Sequence, residues 1–362
     1  MQNDSSRRRV LVVDDSSFIR QVICDVIEAS PDFSVAGEAA DGYTALRLVH
    51  SLAPDLVTLD VQMPGLDGLA TLGYIMSEAA RPVVMLSALA DGGETTMRAL
   101  ELGAVDFVRK PALGDALDLS TLRGRLLGAL RTAAGSHCTS VPVLARAPVR
   151  ARVASVPIDE RPSHLVIIAA STGGPRALAE VVPMLEPSTA AIVVVQHMPP
   201  GFTLSLARRL DALSALPVDE AVDGAPLRAG RVYVAPGGLH TTIDSTAGEL
   251  RLAVRPGVPV HGVAPAADPL LLSAAPAFGA RCLAVVLTGM GHDGARGASA
   301  VREGGGYVIV QDERTSIVYG MPHAALVAAG ADAIAPLERV AEAVASGLRA
   351  RGAASPTVGQ CA

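Results

Sequence analysis

The stretch that decides the fold of this chain is His164–Leu178, HLVIIAASTGGPRAL. Leu165–Ala170 is apolar without interruption and reads as a strand buried on both faces. It breaks at once into Ser171-Thr172-Gly173-Gly174-Pro175, and a helical pattern begins near Arg176. A hydroxyl at the carboxyl end of a buried parallel strand, followed by glycines and a helix start, lies on a sheet rim. There, backbone N–H groups and the helix dipole favour negative charge. Two chemistries fit such a turn: a serine nucleophile with an oxyanion site, or a phosphate-binding loop. The turn alone leaves both open.

Later stretches of the same half separate them. After a helix over Arg176–Leu185, a second buried strand, Ala191–Gln196, ends at His197-Met198-Pro199-Pro200-Gly201. A third, Cys282–Leu287, ends in Thr288-Gly289-Met290-Gly291-His292-Asp293-Gly294, with a helix from about Ala295. In one parallel sheet these ends share a rim, so Ser171, His197 and Asp293 are expected together. A hydroxyl, an imidazole and a carboxylate are the parts for acyl transfer. His197 removes and returns the proton, Asp293 orients the imidazole, and N–H groups of the Gly-rich turns hold the oxyanion. A phosphate loop needs neither base nor carboxylate, and this half has no Walker lysine or GxGxxG.

Taken singly, a serine at such a turn is an ordinary helix cap and an aspartate in a Gly-rich loop an ordinary brace. His240, after the strand Val232–Ala235 in APGGLH, is a rival base, and His292 competes as the neighbour of Asp293. His164, His261 and His323 also lie in this half. The absence of G-x-S-x-G and the order Ser, His, Asp argue against an α/β-hydrolase. A doubly wound parallel sheet with its site at the carboxyl edge is expected instead.

The first half alternates strand and helix signals at short intervals. Strands are expected at Val10–Val13, Phe33–Ala36, Asp55–Leu59, Pro82–Leu86 and Val105–Val108. Helices are expected at Ser17–Glu28, Gly42–Ser51, Leu69–Glu78, Glu94–Leu102 and from Thr121. Five βα repeats imply a parallel sheet covered on both faces, with its chemistry at the carboxyl ends of the strands. Asp14 and Asp15 end the first strand and Asp60 the third. Three converging carboxylates call for a hard cation such as Mg²⁺. Ser87 and Lys110, after the fourth and fifth strands, complete a rim suited to a phosphoryl group on Asp60.

Composition bounds the rest. The chain has 362 residues, 50% of them hydrophobic and 18% charged, which implies two or more domains with cores and excludes a largely disordered protein. Aromatics make up only 3%, so those cores are aliphatic. A net charge of −6 offers no basic surplus for nucleic acid. Cys24, Cys138, Cys282 and Cys361 lack metal or CxxC spacing and read as inert thiols in a reducing compartment. The polar start MQNDSSRRR and the lack of a spanning apolar run point to a cytoplasmic protein without membrane insertion. From about 134 to 162 the patterning fails. Gly135, Ser136, Pro142, Pro148, Pro157 and Pro162, with Arg146, Arg150, Arg152 and Arg161 among them, read as a connector with solvated charge.

Residues 8–128 resemble the receiver domain of bacterial response regulators, on Asp14-Asp15, Asp60 within LVTLDVQMPGLDGL, Ser87 within MLSA, and Lys110-Pro111 within GAVDFVRKP. The resemblance implies phosphorylation of Asp60, Mg²⁺ held by Asp14, Asp15 and Asp60, and a switch formed by Ser87, Phe107 and Lys110. Residues 163–350, after a connector at 129–162, resemble the protein-glutamate methylesterases of bacterial chemotaxis. The matching stretches are IIAASTGGPRAL, VVVQHMPPGFT, YVAPGGLH, ADPLLLSAA, LTGMGHDGARG and QDERTSIVYGMPHAA. That resemblance implies a doubly wound α/β methylesterase domain with the triad Ser171, His197 and Asp293, and no cofactor for the ester chemistry. It implies glutamate methyl esters on cytoplasmic chemoreceptor helices as substrate, and deamidation of receptor glutamines as a related activity. A chemotaxis histidine kinase is implied as phosphodonor. The unphosphorylated receiver is then expected to cover the catalytic rim. Two positions depart from the family pattern: Ala169 stands where Gly is usual, and His292 where Asn is usual.

Overall fold

The βα alternation of the first half folds as one sheet. The computed structural model describes residues 7–87, 92–110, 119–136, 161–246 and 249–352, and the chain divides into two units, Met1–Arg146 and Ala147–Ala362. The first unit runs β1 (Arg8–Val13), α1 (Ser17–Glu28), β2 (Phe33–Ala39), α2 (Gly42–Leu52), β3 (Leu56–Asp60), α3 (Gly68–Glu78), β4 (Val83–Ser87), α4 (Gly92–Glu101), β5 (Asp106–Arg109) and α5 (Leu119–Ala134). Its strands are parallel in the order β2-β1-β3-β4-β5. β3 and β4 are buried along their whole length, as central strands covered on both faces must be, and the polar Asp60 and Ser87 stand at their carboxyl ends.

Helix starts in this unit are set by short polar side chains. Ser16 Oγ accepts from the N–H of Ile19, Asp41 Oδ1 from Thr44 and Asp67 Oδ1 from Ala70. The cap of α1 is therefore Ser16. α5 continues to Ala134 and closes in a turn at Gly135 and Ser136. Of the expected connector, Pro142, Pro148, Pro157, Arg146, Arg150 and Arg152 lie outside the described residues. Arg161 is exposed just ahead of the next strand.

The second unit runs β6 (His164–Ala170), α6 (Gly174–Val181), β7 (Ala190–Gln196), α7 (Phe202–Leu213), β8 (Val218–Glu220), β9 (Val232–Val234), β10 (His240–Thr246), β11 (Glu249–Arg255), α8 (Ala267–Phe278), β12 (Cys282–Val286), α9 (Ala295–Glu303), β13 (Tyr307–Gln311), α10 (Gly320–Ala329), β14 (Ala333–Ala335) and α11 (Val340–Ala350). Seven parallel strands lie in the order β14-β13-β12-β6-β7-β9-β8, and β10 and β11 form a separate antiparallel hairpin. The helix expected at Arg176–Leu185 is shorter. α6 ends at Val181 and passes into a 3₁₀ turn at Val182–Met184, because Pro183 cannot continue the α-helical ladder.

Every residue of β6 and β7 is buried. Chain order reverses between β6 and β12: β7, β9 and β8 extend to one side, β13 and β14 to the other. Open α/β sheets bind ligands at such a reversal, beyond the carboxyl ends of the strands. Among the described residues no helix is long and apolar enough to cross a membrane.

Candidate active site and acidic rim

Sheet register brings Ser171 and His197 side by side. β6 and β7 pair from His164↔Ala190 to Ala170↔Gln196, so each of the two is the next residue beyond a paired end. The N–H of His197 donates to Ala170 O at 3.1 Å, extending that ladder onto the rim. On the other flank β6 pairs with β12, and the N–H of Ser171 donates to Thr288 O at 3.0 Å. The serine is thus held between the strand ends that precede His197 and Asp293.

Ser171 is not a helix cap. α6 is entered through Gly173, whose φ of 77° lies in the left-handed region, and no side chain caps it. The Ser171 carbonyl instead accepts from the N–H of Gly174 at 2.8 Å and from Gln196 Nε2 at 2.9 Å. Among the described residues the N–H groups of Thr172 and Gly173 have no acceptor, so two donors remain unspent beside the hydroxyl.

Asp293 does not brace its own turn either. The following helix α9 is capped by Gly294 at φ 86°. The Asp293 carboxylate, 2% exposed, reaches across to α8, which has no side-chain cap of its own. Oδ2 accepts from the N–H of Ala267 at 2.6 Å and Oδ1 from that of Asp268 at 3.0 Å. His197 Nε2 lies 2.7 Å from Oδ2. Burial raises the Asp293 carboxyl, but the His197 hydrogen bond and charge, then the two N–H donors, outweigh it. The group is held below its ordinary 3.8.

The other histidines are occupied elsewhere. His240 Nε2 lies 3.0 Å from Val258 O, and its Nδ1 accepts from the N–H of Ala266 at 3.3 Å, so both nitrogens serve the backbone. His164 is buried between Ser163 Oγ and Arg351 O. His261 pairs with Asp268 Oδ2 at 2.8 Å, and His292 packs edge-on against it with ring centroids 4.3 Å apart. His323 lies against Tyr319. Sequence reasoning missed Asp268. Its Oδ1 accepts from the N–H of Gly297 at 2.8 Å, tying the start of α8 to α9 while its own N–H serves Asp293. It stands at the first turn of a helix, where an acid is commonplace.

On the first unit, Asp14, Asp15 and Asp60 bring carboxylate oxygens within 4.8 Å of one another. Lys110 Nζ lies 2.7 Å from Asp14 Oδ2 and 2.7 Å from Asp60 Oδ2. Asp14 and Asp60 are buried and Asp15 is exposed. Burial pushes the Asp60 carboxyl up to about 6 against the opposing hydrogen bond and charge of Lys110. Ser87 is buried at the end of β4, and its carbonyl accepts from the N–H of Lys110 at 2.8 Å. Phe107 sits half-buried on β5. A groove of about 510 Å³ opens beside the rim, lined by Asp15, Gln62, Met63 and Thr95 among others.

Cys24 and Cys282 are buried free thiols, each pushed up to about 12, chiefly by burial, and so unreactive. Cys138 and Cys361 lie outside the described residues.

A five-stranded parallel sheet with this acidic rim, joined to an α/β unit carrying its own polar rim, defines the class: a response regulator with an α/β output unit. Residues 10–120 match the response regulator receiver domain and residues 166–344 the CheB methylesterase family. A protein-glutamate methylesterase/protein-glutamine glutaminase of Symbiobacterium thermophilum is 44% identical over 93% of this chain and 96% of its own. One from Pyrococcus horikoshii is 42% identical over 93% and 92%. The crystal structure of the Thermotoga maritima CheB methylesterase catalytic domain covers 51% of this chain and 97% of its own, at 42% identity and a TM-score of 0.49. The chain belongs to the CheB protein-glutamate methylesterase family.

Proposed function

We propose that this protein hydrolyses glutamate methyl esters on chemoreceptors, releasing methanol, under the control of phosphorylation at Asp60. The observation that carries the esterase reading is the His197–Asp293 pair at 2.7 Å, on the rim where sheet register sets His197 beside Ser171. Asp293 engages Nε2, so Nδ1 is the nitrogen that serves the serine; in the usual triad the two nitrogens have the opposite roles. Ser171 Oγ attacks the ester carbonyl as His197 takes its proton. The oxyanion is held by the N–H groups of Thr172 and Gly173, each worth about 3 kcal/mol in such a site. His197 then protonates the departing methoxide, and water repeats the sequence on the acyl-serine. A glutamine side chain follows the same path with ammonia as leaving group, which extends the reading to deamidation.

On the receiver, Asp60 accepts the phosphoryl group from a chemotaxis histidine kinase. Asp14, Asp15 and Asp60 would hold Mg²⁺; three carboxylates against the single Lys110 leave a negative excess that fits a hard divalent ion. Bound there, the ion supplies charge neutralisation for the incoming phosphoryl group. Lys110 and the Ser87 hydroxyl hold phosphoryl oxygens, and Phe107 responds to the turn of Ser87. A cytoplasmic location follows from these partners. The receiver is assigned to about residues 8–128 and the methylesterase domain to about 163–350.

Methanol release from purified methylated receptor, with and without a small phosphodonor, tests the whole reading. Ser171→Ala should abolish release without lowering the thermal midpoint; retained turnover removes Ser171 from the mechanism.

A further inference from the structure

Gln196 is the last residue of β7, and its side chain is 2% exposed. Its Nε2 donates to Ser171 O at 2.9 Å and to His197 O at 3.3 Å. One amide group therefore grips the main chain of both residues assigned to proton transfer. Its Oε1 is buried with no hydrogen-bond partner, a cost that an apolar side chain of equal length would avoid. Turning the amide over would face that oxygen against two carbonyls, so the orientation is determined. The other side of the amide is closed by α6: a Cβ on Gly174 would come within 1.9 Å of Gln196 Oε1 and 2.9 Å of Ala170 Cβ.

We infer that Gln196 is a positioning residue for the ester reaction, clamping the carbonyls of Ser171 and His197 so that hydroxyl and imidazole keep a reactive separation. The inference rests on the acyl-transfer reading above. Neither backbone can drift from the other while the amide bridges them. Gly174 keeps the amide seated, because any side chain there displaces it. Misplacement by even an ångström costs a reaction far more than it costs binding.

The test measures kcat and KM for methylated receptor in the full-length protein, with kcat expressed per folded molecule from far-UV circular dichroism. Gln196→Met, which keeps length and loses the donor, should lower kcat by about tenfold or more with KM within about twofold. Gly174→Ala should lower kcat similarly by pushing the amide from the opposite side. The double variant should be no slower than the slower single one, since both remove the same clamp. A Gln196→Met kcat per folded molecule within about twofold of wild type, or losses that multiply in the double variant, overturns the inference. Ser171→Ala in the same assay separates the two levels. Turnover there sinks the nucleophile itself, whereas an inactive Ser171→Ala beside a fully active Gln196→Met sinks only the clamp.

Discussion

Ser171 and Asp293, on which the proposed ester reaction turns, are each denied their ordinary local task. Glycines take the caps of α6 and α9, which leaves the hydroxyl unspent and sends the carboxylate across to α8. Asp293 is consequently a stability element as well as a partner of His197. Its folded carboxyl lies below 3.8, so its contribution is full above the unfolded value and is lost as pH falls through the lower folded one. Asp293→Asn keeps one acceptor and loses the charge. It should lower the unfolding free energy by about 1–3 kcal/mol at neutral pH, and the gap between the two thermal midpoints should close below pH 3.8. The same substitution should reduce kcat by roughly 10³–10⁴ through loss of imidazole orientation. Ser171, His197 and Asp293 were legible as rim residues because each follows a buried apolar run. Asp268 and Gln196 were not, since one looks like a first-turn helix acid and the other like the polar end of a strand.

At the scale of elements, the site depends on how closely α8 and α9 approach. A Cβ on Gly297 would come within 2.3 Å of Leu271 Cβ, and the N–H of Gly297 holds Asp268 at the start of α8. Gly297→Ala should force the helices apart at a cost of about 1–3 kcal/mol, read as a lower thermal midpoint. It should also lower kcat more than KM, because the Asp268 N–H that holds Asp293 moves with α8. An unchanged midpoint would mean that the helices slide without cost. The strands around this contact were readable from their β-branched runs. α8 was not, since ADPLLLSAAPAF has too few polar residues to mark a helical stripe.

Over the whole molecule, the acidic rim and the Ser171 rim belong to different sheets in different units. Asp60→Asn should leave basal methanol release intact and abolish its stimulation by a small phosphodonor. Undiminished stimulation would refute the switch. Residues 161–352 alone should hydrolyse ester with no response to phosphodonor, because the acidic rim lies wholly in the other unit.

The sequence by itself determined the two α/β sheets, their parallel sense and the identity of the rim residues. Period, strand-end position and turn chemistry are local properties, and a parallel sheet converts each strand end into a place on one edge. Which histidine nitrogen meets Asp293, that α8 borrows its cap from a distant loop, and that Gln196 binds two neighbouring carbonyls were decided only by tertiary structure. Apart from the bond of Gln196 to the adjacent His197 carbonyl, those contacts join residues 25 to 96 positions apart, and no local pattern encodes a hydrogen bond whose partner arrives from another strand.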